Sequence, residues 1–420
     1  MDILVLGNGF DLAHGLPTSY KDFLTFCKKI EALYKYSEII SQDEYKAKEI
    51  DSWKMNESIK ERFVNAYADR KNDKCICEEG IERHVTINSI YDELYEYIQQ
   101  NTWLEYFWNA PTYVGDNWID FETEIAEVVK SLDVAREWME CGNSIKDLEN
   151  GDSVTVTAIW KASKWNLKDA FKGLPEMDKF IEFLGHELDK LIRILEIYID
   201  EFIGKIEVEK RSQDILDINA DYVFSFNYSN THQRLYAVKE KIEYDYVHGK
   251  ADVNNVIASN NMVLGIEEYL EDSRKNEDIR FIAFKKFYQR IHKQTGCEYK
   301  KWIEKIAKDE KKKKSWLVDN KDHSRDYRHN LYIFGHSLDV SDRDILREFI
   351  LHDNVDTTVF YHERIDENGV SDNGRTELGH KIANLVKVIG QEELIKRTGG
   401  STKTINFKLQ RDRFKFCVNV

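Results

Sequence analysis

Two short apolar runs, Ile3–Leu6 and Leu331–Phe334, each stop at a glycine that opens into a helix-like stretch. In "MDILVLGNGFDLAHG" that glycine is Gly7, and in "LYIFGHSLDVSD" it is Gly335. A strand that turns through glycine straight into a helix is the junction of a βα unit. Tyr222–Phe226, Tyr244–Val247, Met262–Leu264 and Thr357–Tyr361 have the same compact character, rich in Val, Ile, Tyr and Phe. Unbroken apolar runs of this length suit strands covered on both faces. The chain therefore reads as α/β with a mostly parallel sheet. The alternating C-terminal stretch "TKTINFKLQRDRFKFCVNV" adds one or two edge strands. Its Lys403, Lys408, Arg411, Arg413 and Lys415 are expected as solvated edge charge.

Between these runs the spacing is helical. Lys21 to about Ile40, "SIYDELYEYIQQNTWLEYFW" and the long "DKFIEFLGHELDKLIRILEIYIDEFIGKIEVEK" repeat apolar residues every third or fourth position. A further helical block is expected from about Ile279 to Lys308. This organisation predicts a discontinuous sheet domain of residues 1–24, 216–270 and 325–420. Residues 25–215 form a large helical insertion in it, and residues 271–324 a second.

Composition narrows the function classes. Only three prolines occur, Pro17, Pro111 and Pro175, so long helices are permitted nearly throughout. The formal net charge of −15 disfavours non-specific binding to nucleic acid or to an anionic membrane. No stretch approaches the roughly 18 apolar residues of a membrane helix, and no secretory leader is expected, since no basic stretch leads into an apolar one before Ile3–Leu6. A cytoplasmic protein is expected. Of six cysteines only Cys75 and Cys77 are close together, and no second pair completes a zinc site. Reduced thiols and no metal are expected.

Four segments carry candidate chemistry. In Gly7-Asn8-Gly9 the glycines let the backbone approach a ligand, as in dinucleotide-binding turns. The sixth position of the common G-x-G-x-x-G pattern is Leu12, however, and Asp11 would repel a phosphate. Asp11 is expected near a ribose or as a helix cap. Pro17–Phe23 reads as a second turn feeding a helix, with Thr18 or Ser19 as its N-cap. In "DYVFSFNYSNTHQRLY", Asn227 falls at the carboxyl end of a strand, the edge where open α/β sheets bind ligands. In "YDYVHGK", His248 stands at another such end before Gly249, suited to acid–base work or to a structural role. In "GHSLDVSDRD", Gly335 and Ser337 could meet a phosphate or ribose. His336, Asp339, Asp342 and Asp344 read as loop and helix-start polar residues. The acids Asp120, Glu122, Glu124, Glu267 and Glu268 raise a metal-dependent nuclease as an alternative, although Glu122 falls off the helix face that Asp120 and Glu124 share.

Together, the Gly-rich first turn, Asn227, His248-Gly249 twenty-one residues on, and Gly335-His336-Ser337 resemble the sirtuin-like NAD-binding superfamily. More narrowly, "LVLGNGFDLAHGLPTSYKDF", "FSFNYSNT", "VHG" and "GHSLDVSD" are similar to the bacteriophage abortive-infection AbiH family. The resemblance implies a Rossmann-like sheet with large helical insertions, in a phage-defence effector that breaks the N-glycosidic bond of NAD or a related nucleotide. It places catalysis on Asn227 and His248, and ligand contacts on Gly7, Asn8, Gly9, Phe10, Asp11, Thr18, Asp22, Gly335, His336 and Ser337. Asn227 would position a water and His248 would act as general base beside an oxocarbenium-like centre. NAD is then substrate or ligand, with no separate cofactor. A phage-encoded trigger and a homo-oligomer are the implied partners. The sequence departs from sirtuins at Ser229, where an acid is usual, at Phe10 and Asp11, and in having no four-cysteine zinc module. Protein deacylation is therefore not implied, and a nucleotide-sensing pocket without turnover stays open beside the hydrolase.

Overall fold

Six strands pair in one parallel sheet: β1 Asp2–Leu6, β2 Tyr222–Ser225, β3 Glu243–Tyr246, β4 His329–Phe334, β5 Val355–Tyr361 and β6 Ile405–Leu409. Their order across the sheet is β3-β2-β1-β4-β5-β6. This is the order of a Rossmann-like sheet, whose direction of winding reverses between β1 and β4. The computed structural model describes residues 1–72, 90–110, 120–143, 151–163, 173–237, 241–270, 274–319, 327–365 and 369–411. Cys75, Cys77, Pro111, Arg413 and Lys415 lie outside them.

The chain divides into two compact units. The sheet unit comprises Met1–Leu16, Glu207–Lys250 and Arg290–Val420. Its principal helices are α1 Asn8–Ala13, α2 Thr231–Tyr236, α3 Tyr299–Asp319, α4 Arg343–Ile350, α5 Arg375–Ile389 and α6 Gln391–Thr398. Successive strand residues point to opposite faces. Ile3, Val5, Phe224, Leu331, Ile333, Val355 and Val359 bury one face with Trp302 and Ile306 of α3, Leu346 and Phe349 of α4 and Leu385 and Val388 of α5. Leu4, Leu6, Val223, Phe334 and Phe360 bury the other with Phe10, Ala13, Ile215 and Tyr236. Each such side chain contributes roughly 1.5–3 kcal/mol on leaving water, so the apolar runs alone fix which segments become the centre of the sheet.

The second unit, Pro17–Ile206 with Ala251–Gln289, is built from helices. Tyr20–Ser37 starts at a capping box in which Ser19 and Asp22 bond each other's backbone. Leu174–Ile197 begins with Pro175 and continues through one π turn, Tyr198–Phe202, where the Tyr198 hydroxyl donates to the Pro17 carbonyl at 2.6 Å. Inside this unit the buried Arg193 pairs with Glu196 and Glu93, each at 2.8 Å, and donates to the Val253 carbonyl. No helix among the described residues is long and apolar enough to cross a membrane.

Three expectations need correction. Met262–Leu264 is buried but is not a strand. Its backbone groups are taken by side chains: Gln289 bonds both N–H and C=O of Leu264, and Asn260 accepts from Met262 N–H. The block expected as one helix from about Ile279 is broken. Lys286–Lys293 and Tyr299–Asp319 are separated by a turn in which Gly296 has φ +57°, and a Cβ on Gly296 would lie 2.4 Å from Val247 Cα. Finally, Lys408 and Arg411 are not merely solvated, since they pair at 3.2 and 2.8 Å with the fully buried carboxylate of Asp214.

Candidate functional site

The strand register brings the candidate residues to one edge. Leu6 lies opposite Ser225 and Phe334, and Ser225 opposite Tyr246, so these four strands end level. Gly7, Asn227, His248 and Gly335 follow within two residues of those ends. In open parallel sheets the crevice at this edge, where the winding reverses, is where ligands bind.

The two glycine turns pack on each other. Gly7 N–H donates to the Phe334 carbonyl at 3.1 Å and Gly9 N–H to the Gly335 carbonyl at 2.8 Å. A Cβ on Gly7 would lie 2.4 Å from His336 Cα, and one on Gly335 would lie 2.1 Å from Phe10 N. These glycines are therefore required first by backbone-to-backbone contact between the two turns. Phe10 N–H is donated to the Gly7 carbonyl. With Gly9 and Phe10 N–H both used, this turn is not a set of free donors for a phosphate. The Phe10 ring is fully buried among His14, His232, Tyr236 and Phe334.

Asn227 is held on two sides. Its backbone bonds the Ser225 hydroxyl at 3.1 Å, and its Nδ2 donates to the Gly7 carbonyl at 3.0 Å and to Asp11 Oδ2 at 3.1 Å. Both partners only accept, which settles the orientation of the amide. Asp11 Oδ2 also accepts from the Ser229 hydroxyl at 2.6 Å, which in turn accepts from Thr231. Asp11 is therefore tied by side chains rather than acting as a helix cap. The network leaves Oδ1 of Asp11 and Oδ1 of Asn227 buried without a hydrogen-bond partner. Burial pushes the Asp11 carboxyl up to about 6, against the opposing pull of Ser229, Thr231, Arg234 and Asn227.

His248 and His336 are buried, and both rings pack edge-on against Phe226, with centroids at 5.5 and 4.2 Å. Their Nε2 atoms each lie 3.4 Å from Asp342, His248 from Oδ1 and His336 from Oδ2. Gly249, at φ +82°, closes the turn after His248 by donating to the Tyr246 carbonyl at 2.9 Å. The β4 turn is anchored by α5: Lys381 Nζ donates to the His336 carbonyl at 2.6 Å and Asn384 Nδ2 to the Ser337 carbonyl at 3.0 Å. Ser337 is exposed.

Asn8 lies in the first turn of α1, partly exposed. Thr18 and Asp22 belong to the helical unit, where Asp22 serves the Ser19 capping box. Asp120, Glu122, Glu124 and Glu268, considered for metal chemistry, have partners within that same unit. Asp120 caps helix Phe121–Glu140, Glu122 pairs with Lys286 at 2.7 Å, Glu124 accepts from Tyr106 and Glu268 pairs with Lys285. Among the described residues, no group of three or more His, Cys, Asp or Glu is placed to hold a metal ion. Sequence reasoning read Asp342 only as a loop or helix-start polar residue, and it missed Lys381 and the part played by Ser229. Nothing in "SLDVSDRD" singles out Asp342 from Asp339 or Asp344.

The fold and this edge define a Rossmann-like α/β protein with large helical insertions, whose polar residues gather where the first and fourth strands diverge. The chain belongs to the bacteriophage abortive infection AbiH family, whose model matches residues 3–361. That membership supports a role in phage abortive infection. No curated protein and no solved structure matches the chain.

Proposed function

We propose that the sheet unit is a sirtuin-like nucleotide pocket that cleaves the N-glycosidic bond of NAD or a related nucleotide during abortive infection. The observation that carries this reading is the pair of buried acceptors, Oδ1 of Asn227 and Oδ1 of Asp11, at the carboxyl edge of the sheet. Two acceptors without donors call for a donor-bearing ligand. A water or a ribose hydroxyl supplies such a donor, whereas an ionised phosphate oxygen does not. Asn227 then orients the attacking water, and His248 takes a proton at the edge of the neighbouring strand. General-base assistance of this kind is worth on the order of 10²–10⁴-fold. The ribosyl centre passes through an oxocarbenium-like state, so a fixed water and a nearby base are the main requirements.

The test is NAD loss and nicotinamide release by the purified protein, with Asn227→Ala and His248→Ala alongside. It is run without added metal and over a range of protein concentrations, which also reads any need for assembly. Turnover that both substitutions abolish is the expected result. Thermal stabilisation by NAD without turnover would move the reading to a sensing pocket. Absence of both turnover and stabilisation would remove NAD as the ligand.

A further inference from the structure

Around Asp11, the side chains of Asn227, Ser229 and Thr231 have already placed their protons. Asn227 Nδ2 carries two, one directed to the Gly7 carbonyl and one to Asp11 Oδ2. Ser229 gives its hydroxyl proton to the same Oδ2 at 2.6 Å, and Thr231 gives its own to the Ser229 oxygen at 3.1 Å. The bonds to the Asp11 carboxylate therefore end on one of its oxygens, and Oδ1 accepts from none of these groups. Asn227 Oδ1 is in the same position. With Asp11 1% and Asn227 7% exposed, bulk water does not serve either oxygen.

The two free oxygens belong to side chains in direct contact, carried past the level ends of β1 and β2. They call for two donors side by side that come from outside the network. In a β-linked ribonucleotide two such donors are neighbours. The 2′-hydroxyl sits on the carbon next to the one that loses its base, and on the opposite face of the sugar from the base. A water that displaces the base with inversion approaches on that same face. With the attacking water on Asn227, the adjacent acceptor on Asp11 falls to the 2′-hydroxyl. A hydrogen bond to this hydroxyl strengthens as the oxocarbenium-like state forms, so it supports cleavage as well as binding. An ionised carboxylate makes it a charge-assisted bond, stronger than a neutral one.

We propose that Asp11 is the sugar-specificity residue of this pocket, its Oδ1 accepting from the 2′-hydroxyl of the ribose whose N-glycosidic bond is broken. The pocket then takes ribonucleotides and rejects 2′-deoxyribonucleotides. Asp11 accepts a hydrogen bond only, and no proton passes to it. The proposal rests on the reading of this edge as a nucleotide pocket, but its test does not need turnover.

The experiment is isothermal titration of the full chain at pH 8. That is above the value of about 6 to which burial lifts Asp11, so its carboxylate is ionised. The probes are NAD, ATP and GTP, each beside its 2′-deoxy and its 2′-fluoro counterpart. In NAD the change is made on the nicotinamide ribose. Fluorine keeps a polar bond at that carbon but cannot donate. The bound ribonucleotide is expected to bind about 10- to 150-fold more tightly than either counterpart, the worth of a hydrogen bond to a charged group. In Asp11→Asn the gap should close to about fivefold or less, as a neutral bond allows. Equal affinity for the ribo and deoxy forms, or for the ribo and fluoro forms, would overturn the proposal. A gap that Asp11→Asn leaves unchanged would overturn the assignment to Asp11. Should that variant fail to fold, the comparison of ribo, deoxy and fluoro forms on the unsubstituted protein still decides whether the site needs the hydroxyl as a donor. Binding without preference for the hydroxyl sinks this proposal alone, whereas no binding by any probe sinks the nucleotide reading and this proposal with it.

Discussion

Asn227 and Asp11, separated by 216 residues in the chain, meet side chain to side chain, with Nδ2 of the amide 3.1 Å from Oδ2 of the carboxylate. The same Nδ2 reaches the Gly7 carbonyl. Asn227→Asp replaces this donor with a second acid in a buried site. Two carboxylates in contact cannot both ionise, so one must take up a proton. The variant should lose roughly 3 kcal/mol of stability at pH 7, as breaking a buried polar pair does. It should recover much of that loss near pH 5, where a shared proton restores the bond. Denaturant melts at both pH values check this, and equal losses at the two would contradict it.

Asp11→Asn should move stability the other way. The substituted amide oxygen can still accept from Asn227 and Ser229. Asp11 holds its proton more tightly folded, with a pKa of about 6, than unfolded, at the usual 3.8. The folded state therefore binds more protons between those values, and stability falls as pH rises through that window. The whole deficit, about 3 kcal/mol for a shift of this size, is present above pH 6. Removing it should raise the melting temperature at pH 7 and leave it little changed at pH 4. Under the hydrolase reading the same variant loses nicotinamide release, because a donor now stands where the ligand needs an acceptor.

Gly335→Ala tests the packing of the two turns. The added methyl would meet Phe10 N at 2.1 Å and the Gly9 carbonyl carbon at 2.5 Å, at a residue with φ +69°. Both are backbone atoms, so no side chain can swing away. Strain and overpacking together should cost about 3 kcal/mol or more. Low soluble yield or a melting temperature lowered by several degrees is expected. Gly369→Ala supplies the comparison, since its φ is +77° but a Cβ there meets nothing within 4 Å among the described residues. It should cost only the backbone term.

Two buried histidines set the acid limit of the sheet unit. His232 is pushed down to about 4 by burial and by His14, and His329 to about 4 by burial and the N-terminal amine. Both are neutral when folded at pH 5 to 6 and charged when unfolded. The unfolded state binds the extra protons, so stability is lost as pH falls from about 6.5 toward 4. His232→Gln should flatten this slope in a pH series of denaturant melts, and an unchanged slope would count against the assignment. His232 also stacks on Tyr236 and bonds the Tyr244 hydroxyl at 3.1 Å, so some stability at pH 8 should be lost as well.

Much of the sheet was legible from local pattern. Buried parallel strands must be continuous apolar runs, and Ile3–Leu6, Tyr222–Phe226 and Leu331–Phe334 have no other use for such residues. The same rule misread Met262–Leu264, because burial and strand pairing are separate facts, and there the side chains of Gln289 and Asn260 satisfy the backbone. The break before Tyr299 was hidden too, since it depends on Gly296 lying against Val247, which is distant in sequence.

By itself the sequence determined the α/β class, most of the strands, the glycine turns and the placing of Asn227 and His248 at strand ends. These follow from apolar periodicity and from where glycine must stand, which are properties of neighbours along the chain. Tertiary structure decided what those residues do to one another. It joined Asp11 to Asn227 and Ser229, used the glycines for contact between two turns, and chose Asp342 from three similar aspartates to face His248 and His336. Such choices depend on strand order and register. Those are set by the packing of both sheet faces at once, and no short stretch of the chain contains that information.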